Sequence, residues 1–240
     1  MRYMGGKYRQ SRGIVECIRP HTESGFTYVE PFCGGLSSAA AVARDLRPGR
    51  IVLGDVYSPL VKLWNKCLSH GTDWLPESCD EETHREYREN RPDDPLTAYY
   101  LFGFSYGGDI NGGFIKPEYA GHPRNGISRK IKWIKTCRSV DIKCCSYEEL
   151  VIDDGSVVYC DPPYEGRSIH HGFREFDYNK FWQWVRDLSS RCAVLTSCFN
   201  APDDFRAIYQ WGDTVVRPHN LSSEKSHVSG YEKLVVYDAD

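Results

Sequence analysis

The chain has 240 residues, 40% hydrophobic and 26% charged, with a formal net charge of −3, the balance of an ordinary globular protein with room for one full core and a sizeable insertion. No apolar run approaches the length of a membrane span and the N-terminus carries no apolar signal region, so neither a membrane span nor secretion is expected, and a cytoplasmic location is. The ten cysteines include no C-x-x-C pair, which argues against a zinc site and a disulfide framework and for reduced thiols.

Tyr3-Met4-Gly5-Gly6-Lys7 opens the chain. Its paired glycines allow a tight turn and close approach of backbone to a ligand, beside a ring and a cation. A short helix is expected from Arg12 to Ile18, ending before Pro20. Phe26 to Val29 is β-rich and runs into Glu30-Pro31-Phe32-Cys33-Gly34-Gly35, after which Leu36 to Leu46 reads as a small-residue helix. Strand, glycine turn and helix form the opening unit of a nucleotide-binding α/β half. The spacing is not G-x-G-x-x-G, and a glutamate at the strand end suits a hydroxyl or a cationic group better than a pyrophosphate. Arg50 to Asp55 is the next strand, again ending in a carboxylate, and Val56 to Leu68 reads as helical. In such folds an acid at the second strand's end takes ribose hydroxyls.

From about Cys67 to Lys143 the pattern changes. Glu81 to Asn90 is a polar helix, Pro95 to Phe104 is aromatic-rich, and Tyr106 to Phe114 is a glycine-rich turn that includes Asn111. A basic stretch follows: Lys116, Arg124, Arg129, Lys130, Lys132, Lys135 and Arg138 against Glu118 give 7 − 1 = +6. Aromatics and amides beside a cationic stripe are what base contact next to phosphate contact requires. The alternation then resumes with a strand over Asp141–Cys145 and a helical turn at Tyr147–Leu150. Val157-Val158-Tyr159-Cys160 is a buried strand stopped by Asp161-Pro162-Pro163-Tyr164. Two prolines in a row fix φ and end the strand, which holds a carboxylate and a ring at the sheet's C-terminal edge. A polar loop with His170-His171 follows, with no third metal ligand in view. Lys180–Leu188 is expected as a helix, Cys192–Ser197 as a strand, Asp203–Tyr209 as a helix, and Asp213–Arg217 with Lys233–Tyr237 as two closing strands.

These motifs, in this order, resemble the Dam-type α-group DNA adenine-N6 methyltransferases. Tyr-Met-Gly-Gly-Lys at 3–7 is similar to that family's Trp-x-Gly-Gly-Lys, Glu-Pro-Phe-Cys-Gly-Gly at 30–35 to its cofactor loop, Leu-Gly-Asp at 53–55 to its second-strand motif, and Asp161-Pro162-Pro163-Tyr164 to its catalytic motif. Tyr3 stands where tryptophan is commoner, and Leu36 where a third glycine is common. The resemblance implies a class I α/β methyltransferase fold, mostly parallel with an antiparallel C-terminal hairpin strand. Residues 1–68 and 140–240 would form the catalytic domain, and 69–139 an inserted, mainly helical target-recognition domain.

It also implies S-adenosylmethionine as cofactor, with Tyr3, Lys7, Asp55 and Asp161 binding it and Glu30, Phe32 and Gly34 lining its pocket; Ser146-Tyr147 would lie near its adenine. Asp161, Pro162 and Tyr164 would be catalytic, with no metal, on an adenine flipped from double-stranded DNA. Lys116, Arg124, Arg129, Lys130 and Asn111 are the expected DNA contacts. An RNA adenine-N6 or DNA cytosine-N4 methyltransferase on the same fold stays open, as does a non-catalytic DNA-binding module. A restriction endonuclease partner, a phage genome and a housekeeping methylation system would each leave these residues in place.

Overall fold

The computed structural model describes residues 1–165, 176–212 and 231–238. Strands β1 (Thr27–Glu30), β2 (Arg50–Asp55), β3 (Ser139–Cys144), β4 (Val157–Cys160), β5 (Ala193–Cys198), β6 (Phe205–Gln210) and β7 (Lys233–Tyr237) form one sheet in the order β3-β2-β1-β4-β5-β7-β6. The first five in that order run parallel. β7 runs antiparallel to both its neighbours, β5 and β6. This is the α/β methyltransferase architecture, with the reversed strand at the C-terminal end.

The alternation of side chains along each strand divides the core in two. Tyr28, Ile51, Leu53, Val157, Tyr159 and Leu195 face one side, and Val29, Val52, Val158, Cys160 and Val194 the other. Both faces are covered, which is why the central strands read as continuous apolar runs. The first face carries α1 (Ser11–Ile18), α2 (Ser37–Asp45) and α3 (Ser58–His70); the second carries α8 (Tyr178–Ser189), through Phe181, Trp182, Val185 and Leu188.

Between α3 and β3 the chain forms α4 (Glu81–Asn90), α5 (Pro95–Gly103), α6 (Pro117–Ala120) and α7 (Pro123–Ile134). The caps of α4 and α5 are legible in the sequence: Asp80 accepts from Thr83 N at 2.7 Å and Asp94 from Leu96 N at 2.7 Å. α7 buries Pro123, Ile127, Ile131 and Ile134, one helical stripe, against α2, and α5 packs on α3. These helices share the core of the first sheet face.

One expected element is wrong in type. The sequence reads Asp203–Tyr209 as a helix; the segment instead supplies strand β6, at the sheet edge. Asp204 is occupied by Arg186, at 2.5 and 2.9 Å, rather than by helix amides. Pairing with β7 decides the conformation, and that pairing is not a local property. The strand expected over 213–217 and the His170-His171 loop lie outside the described residues. Among the described residues, no helix is long and apolar enough to cross a membrane.

Candidate active site

β2, β1 and β4 are consecutive in the sheet and parallel, so Asp55, Glu30 and Asp161 come to one edge. The loop after β1 is fixed from both sides. Cys33 N donates to Gly54 O at 2.8 Å, Gly34 N donates to Asp55 Oδ2 at 2.9 Å, and the Trp64 indole donates to Gly34 O at 2.9 Å. Asp55 also accepts from Tyr57 N at 2.9 Å. Burial lifts its carboxyl above the ordinary range, and these backbone donors work against that lift.

Tyr3 explains the glycines. A Cβ on Gly34 would lie 2.7 Å from the Tyr3 ring, and one on Gly35 would lie 2.8 Å from Tyr3 Cβ. The ring also packs on Phe102, at 4.8 Å between centroids. Leu36, at the position where a third glycine is common in the similar family, takes a left-handed conformation with φ 57°, a cost offset by its complete burial.

Glu30 is turned into the first core. It is 2% exposed and accepts from the Tyr28 hydroxyl at 2.9 Å and from the Ser38 hydroxyl. Burial pushes its carboxyl up to about 8, although both hydroxyls oppose the rise. Lys130 of α7 reaches the same region, donating to Gly35 O and, at 3.2 Å, to Ser37 Oγ. Burial lowers its ammonium to about 8.

Asp161 sits in a buried charged cluster. Lys7 Nζ is 2.7 Å from Asp161 Oδ1 and 3.3 Å from Glu232 Oε1, and it donates to Gly5 O at 3.1 Å. The Tyr164 hydroxyl lies 2.9 Å from Asp161 Oδ1 and 2.7 Å from Glu232 Oε1, with Lys7 over its ring at 4.9 Å. Burial disfavours the Lys7 charge, but the two carboxylates more than offset it and its pKa rises. Burial raises Asp161 above the usual carboxylate value while Lys7 pulls it down.

Glu232 was absent from the sequence reading. It lies directly before an apolar strand, and because that strand is antiparallel its start falls on the edge where the parallel strands end. The signal that could have found it is that position: an acid immediately before a closing strand already expected to run antiparallel.

Two aromatic groups flank this edge. Phe32 packs with Tyr147 at 5.6 Å and Phe181 at 5.7 Å. Tyr164 meets Phe199 edge-on at 5.1 Å, and both line a cleft with Pro162, Pro163, Trp182 and Asn200.

The family described as D12 class N6 adenine-specific DNA methyltransferase matches residues 3–99 and 111–197. The chain belongs to that family. Similar proteins include the DNA adenine methylases of Escherichia coli strain K12 and of Salmonella typhi, each 28% identical over 204 residues, 75% of this chain and 70% of theirs. The DNA adenine methylase of Vibrio cholerae is 27% identical over 203 residues, 75% of this chain and 70% of its own. An rRNA methyltransferase from Streptomyces viridochromogenes superposes on 96% of this chain and 84% of its own, at a TM-score of 0.44 and 12% identity.

For a D12-class chain the disposition of the basic residues matters, and the structure does not gather them into one stripe. Lys130 points inward, as described. Arg124 is paired with Asp73 at 2.9 Å and Glu77 at 3.3 Å. Asn111 accepts from Arg91 at 2.6 Å. Lys116 and Arg129 are exposed. α7 starts beside the N-terminus, where Met1 N donates to Pro123 O at 2.9 Å, and it leads into β3 at Ser139, which pairs with Arg50 at the start of β2. Lys135 and Arg138 therefore lie toward the sheet's opposite end from Asp161.

Proposed function

We propose that this D12-class enzyme methylates N6 of adenine in duplex DNA by receiving the base, turned out of the helix, at Asp161-Pro162-Pro163-Tyr164. The observation that carries the reading is Asp161: a half-buried carboxylate at the tip of β4, held at 2.7 Å by Lys7 and beside a ring in a cleft. The exocyclic amine of adenine is a poor nucleophile because its lone pair is delocalised into the ring. Asp161 would accept one N–H and the Pro162 carbonyl the other, which favours a tetrahedral nitrogen and frees the lone pair. This is orientation and electrostatic stabilisation, with no covalent enzyme intermediate. Lys7 counters the effect of burial on Asp161 and so favours the ionised, accepting form. The Tyr164 ring would stack on the base, with Phe199 at its edge. An adenine inside a duplex cannot reach such a cleft, so flipping is required.

The residues present fit S-adenosylmethionine. Asp55 is fixed as an acceptor at the tip of β2, the Tyr3 ring is seated against Gly34 and Gly35, and Phe32 and Tyr147 offer apolar faces. Tyr3, Lys7, Phe32, Gly34, Asp55 and Asp161 would hold it, with Glu30 supporting the loop from beneath. When bound, the cofactor supplies an electrophilic methyl group on sulfur. Residues 69–139, through Lys116, Arg129 and the turn bearing Asn111, would supply target recognition.

The test is incubation with labelled S-adenosylmethionine and mixed-sequence duplex DNA, followed by base analysis. Label is expected in N6-methyladenine, and Asp161→Ala should lose it while keeping the wild-type circular dichroism. Label in cytosine or only in RNA, or near-normal turnover of Asp161→Ala, would overturn the assignment.

A further inference from the structure

Glu232 immediately precedes β7 and is 3% exposed. Its carboxylate gathers three donors from two distant parts of the chain: Lys7 Nζ at 3.3 Å, Gln10 Nε2 at 3.1 Å and the Tyr164 hydroxyl at 2.7 Å. Two of these are also the donors to Asp161, at 2.7 and 2.9 Å, and both reach the same oxygen, Oδ1. A phenol has one proton, so Tyr164 donates to one carboxylate at a time; the contact with Glu232 is the shorter. A second carboxylate beside Asp161 is electrostatically unfavourable in a buried site. Its contribution therefore lies in what it holds.

We infer that Glu232 is a positioning residue for methyl transfer: by taking the Tyr164 proton and sharing Lys7, it leaves Asp161 with acceptor capacity for the substrate amine. The inference rests on the assignment of Asp161 as that acceptor. Without Glu232, the hydroxyl and the ammonium lose the carboxylate they share and fall back on Asp161. Each donor spent there weakens the hydrogen bond that Asp161 can offer an incoming N–H. The Tyr164 ring, tethered through its hydroxyl, loses its second anchor. Gln10 is left without its side-chain acceptor, which loosens the N-terminal segment bearing Lys7.

Two near-isosteric variants test this. Glu232→Gln keeps the volume but removes the charge and one of the two acceptor oxygens, so that Lys7, Gln10 and Tyr164 can no longer all be held; Tyr164→Phe keeps the ring but removes the proton. Single-turnover methylation rate and duplex-DNA affinity are measured for each and for the double variant. Each single change should slow the methyl-transfer step about tenfold or more, ~1.4 kcal/mol, with DNA affinity held within about threefold. The double variant should be no slower than the slower single one, because both act through the same bond. A Glu232→Gln rate within about twofold of wild type would sink the inference. So would losses that multiply in the double variant, or a loss confined to DNA affinity or to melting temperature. Asp161→Ala in the same assay separates the two levels. If it retains full rate, the acceptor assignment itself fails, whatever Glu232 does.

Discussion

Lys7 Nζ lies 2.7 Å from Asp161 Oδ1, and through this contact the N-terminal segment is fastened to the tip of β4. The lysine side chain is only 6% exposed, with Glu232 as its second anionic partner. Breaking a buried pair from one side leaves uncompensated charge. Lys7→Met should therefore destabilise the fold by about 3 kcal/mol near neutral pH. Lys7 is the leading influence that lowers the Asp161 carboxyl against burial, so in the variant that carboxyl rises further above its unfolded value. Such a group loses stability as pH rises through that window. The deficit relative to wild type should accordingly shrink as pH is lowered toward 5. Urea midpoints at several pH values check this, and a deficit independent of pH would contradict it.

Glu30 gives a second pH dependence, of defined sign. Its carboxyl is raised from an ordinary value of 4.5 to about 8, chiefly by burial. Between those values the folded chain holds a proton that the unfolded chain has released. Stability should then fall as pH rises from about 5 to 8, by at most about 1.4 kcal/mol per pH unit. Glu30→Gln removes this component and should flatten the profile there. Parallel denaturation profiles for the two proteins would show that Glu30 keeps an ordinary pKa.

Gly35→Ala probes the packing of Tyr3 on the loop. The added Cβ would stand 2.8 Å from Tyr3 Cβ and 3.0 Å from its Cγ, with no left-handed φ to complicate the backbone. Tyr3 must shift, at an overpacking cost of ~1–3 kcal/mol. Affinity for S-adenosylmethionine, read by calorimetric titration, should drop about tenfold, equivalent to ~1.4 kcal/mol. Gly113→Ala, where nothing lies within 4 Å of the added carbon, is the control and should leave that affinity unchanged.

DNA contact can be mapped with two lysines. Lys116 precedes α6 and is exposed; Lys135 follows α7, toward the opposite end of the sheet from Asp161. Lys116→Ala should weaken duplex binding and reduce the slope of log affinity against log salt by about one. Lys135→Ala should leave both unchanged. The reverse pattern, in a filter-binding or fluorescence titration, would place the duplex on the other end of the molecule.

The parallel strands, their acidic tips and the glycine turn were legible in the amino-acid order. Continuous apolar runs, prolines at Asp161-Pro162-Pro163 and paired glycines act on the backbone within a few residues, so β2 and β4 fall where the pattern places them. The segment from Asp203 to Tyr209 shows where that reasoning ends: by itself it reads as a helix, and pairing with β7 makes it a strand.

The basic run is likewise legible as composition but not as a surface. A +6 segment is visible in the sequence, but wrapping it as α7 between α2 and β3 sends Lys130 inward to Gly35 and carries Lys135 away from the sheet edge that bears Asp161. The order of residues by itself determined that three carboxylates would end neighbouring strands. The tertiary structure alone decided that Lys7, Glu232 and Tyr164 would close around one of them. Those groups come from the N-terminus, the antiparallel strand and the proline loop, and what unites them is burial of charge and apolar surface over long chain separations, a free energy that no local stretch contains.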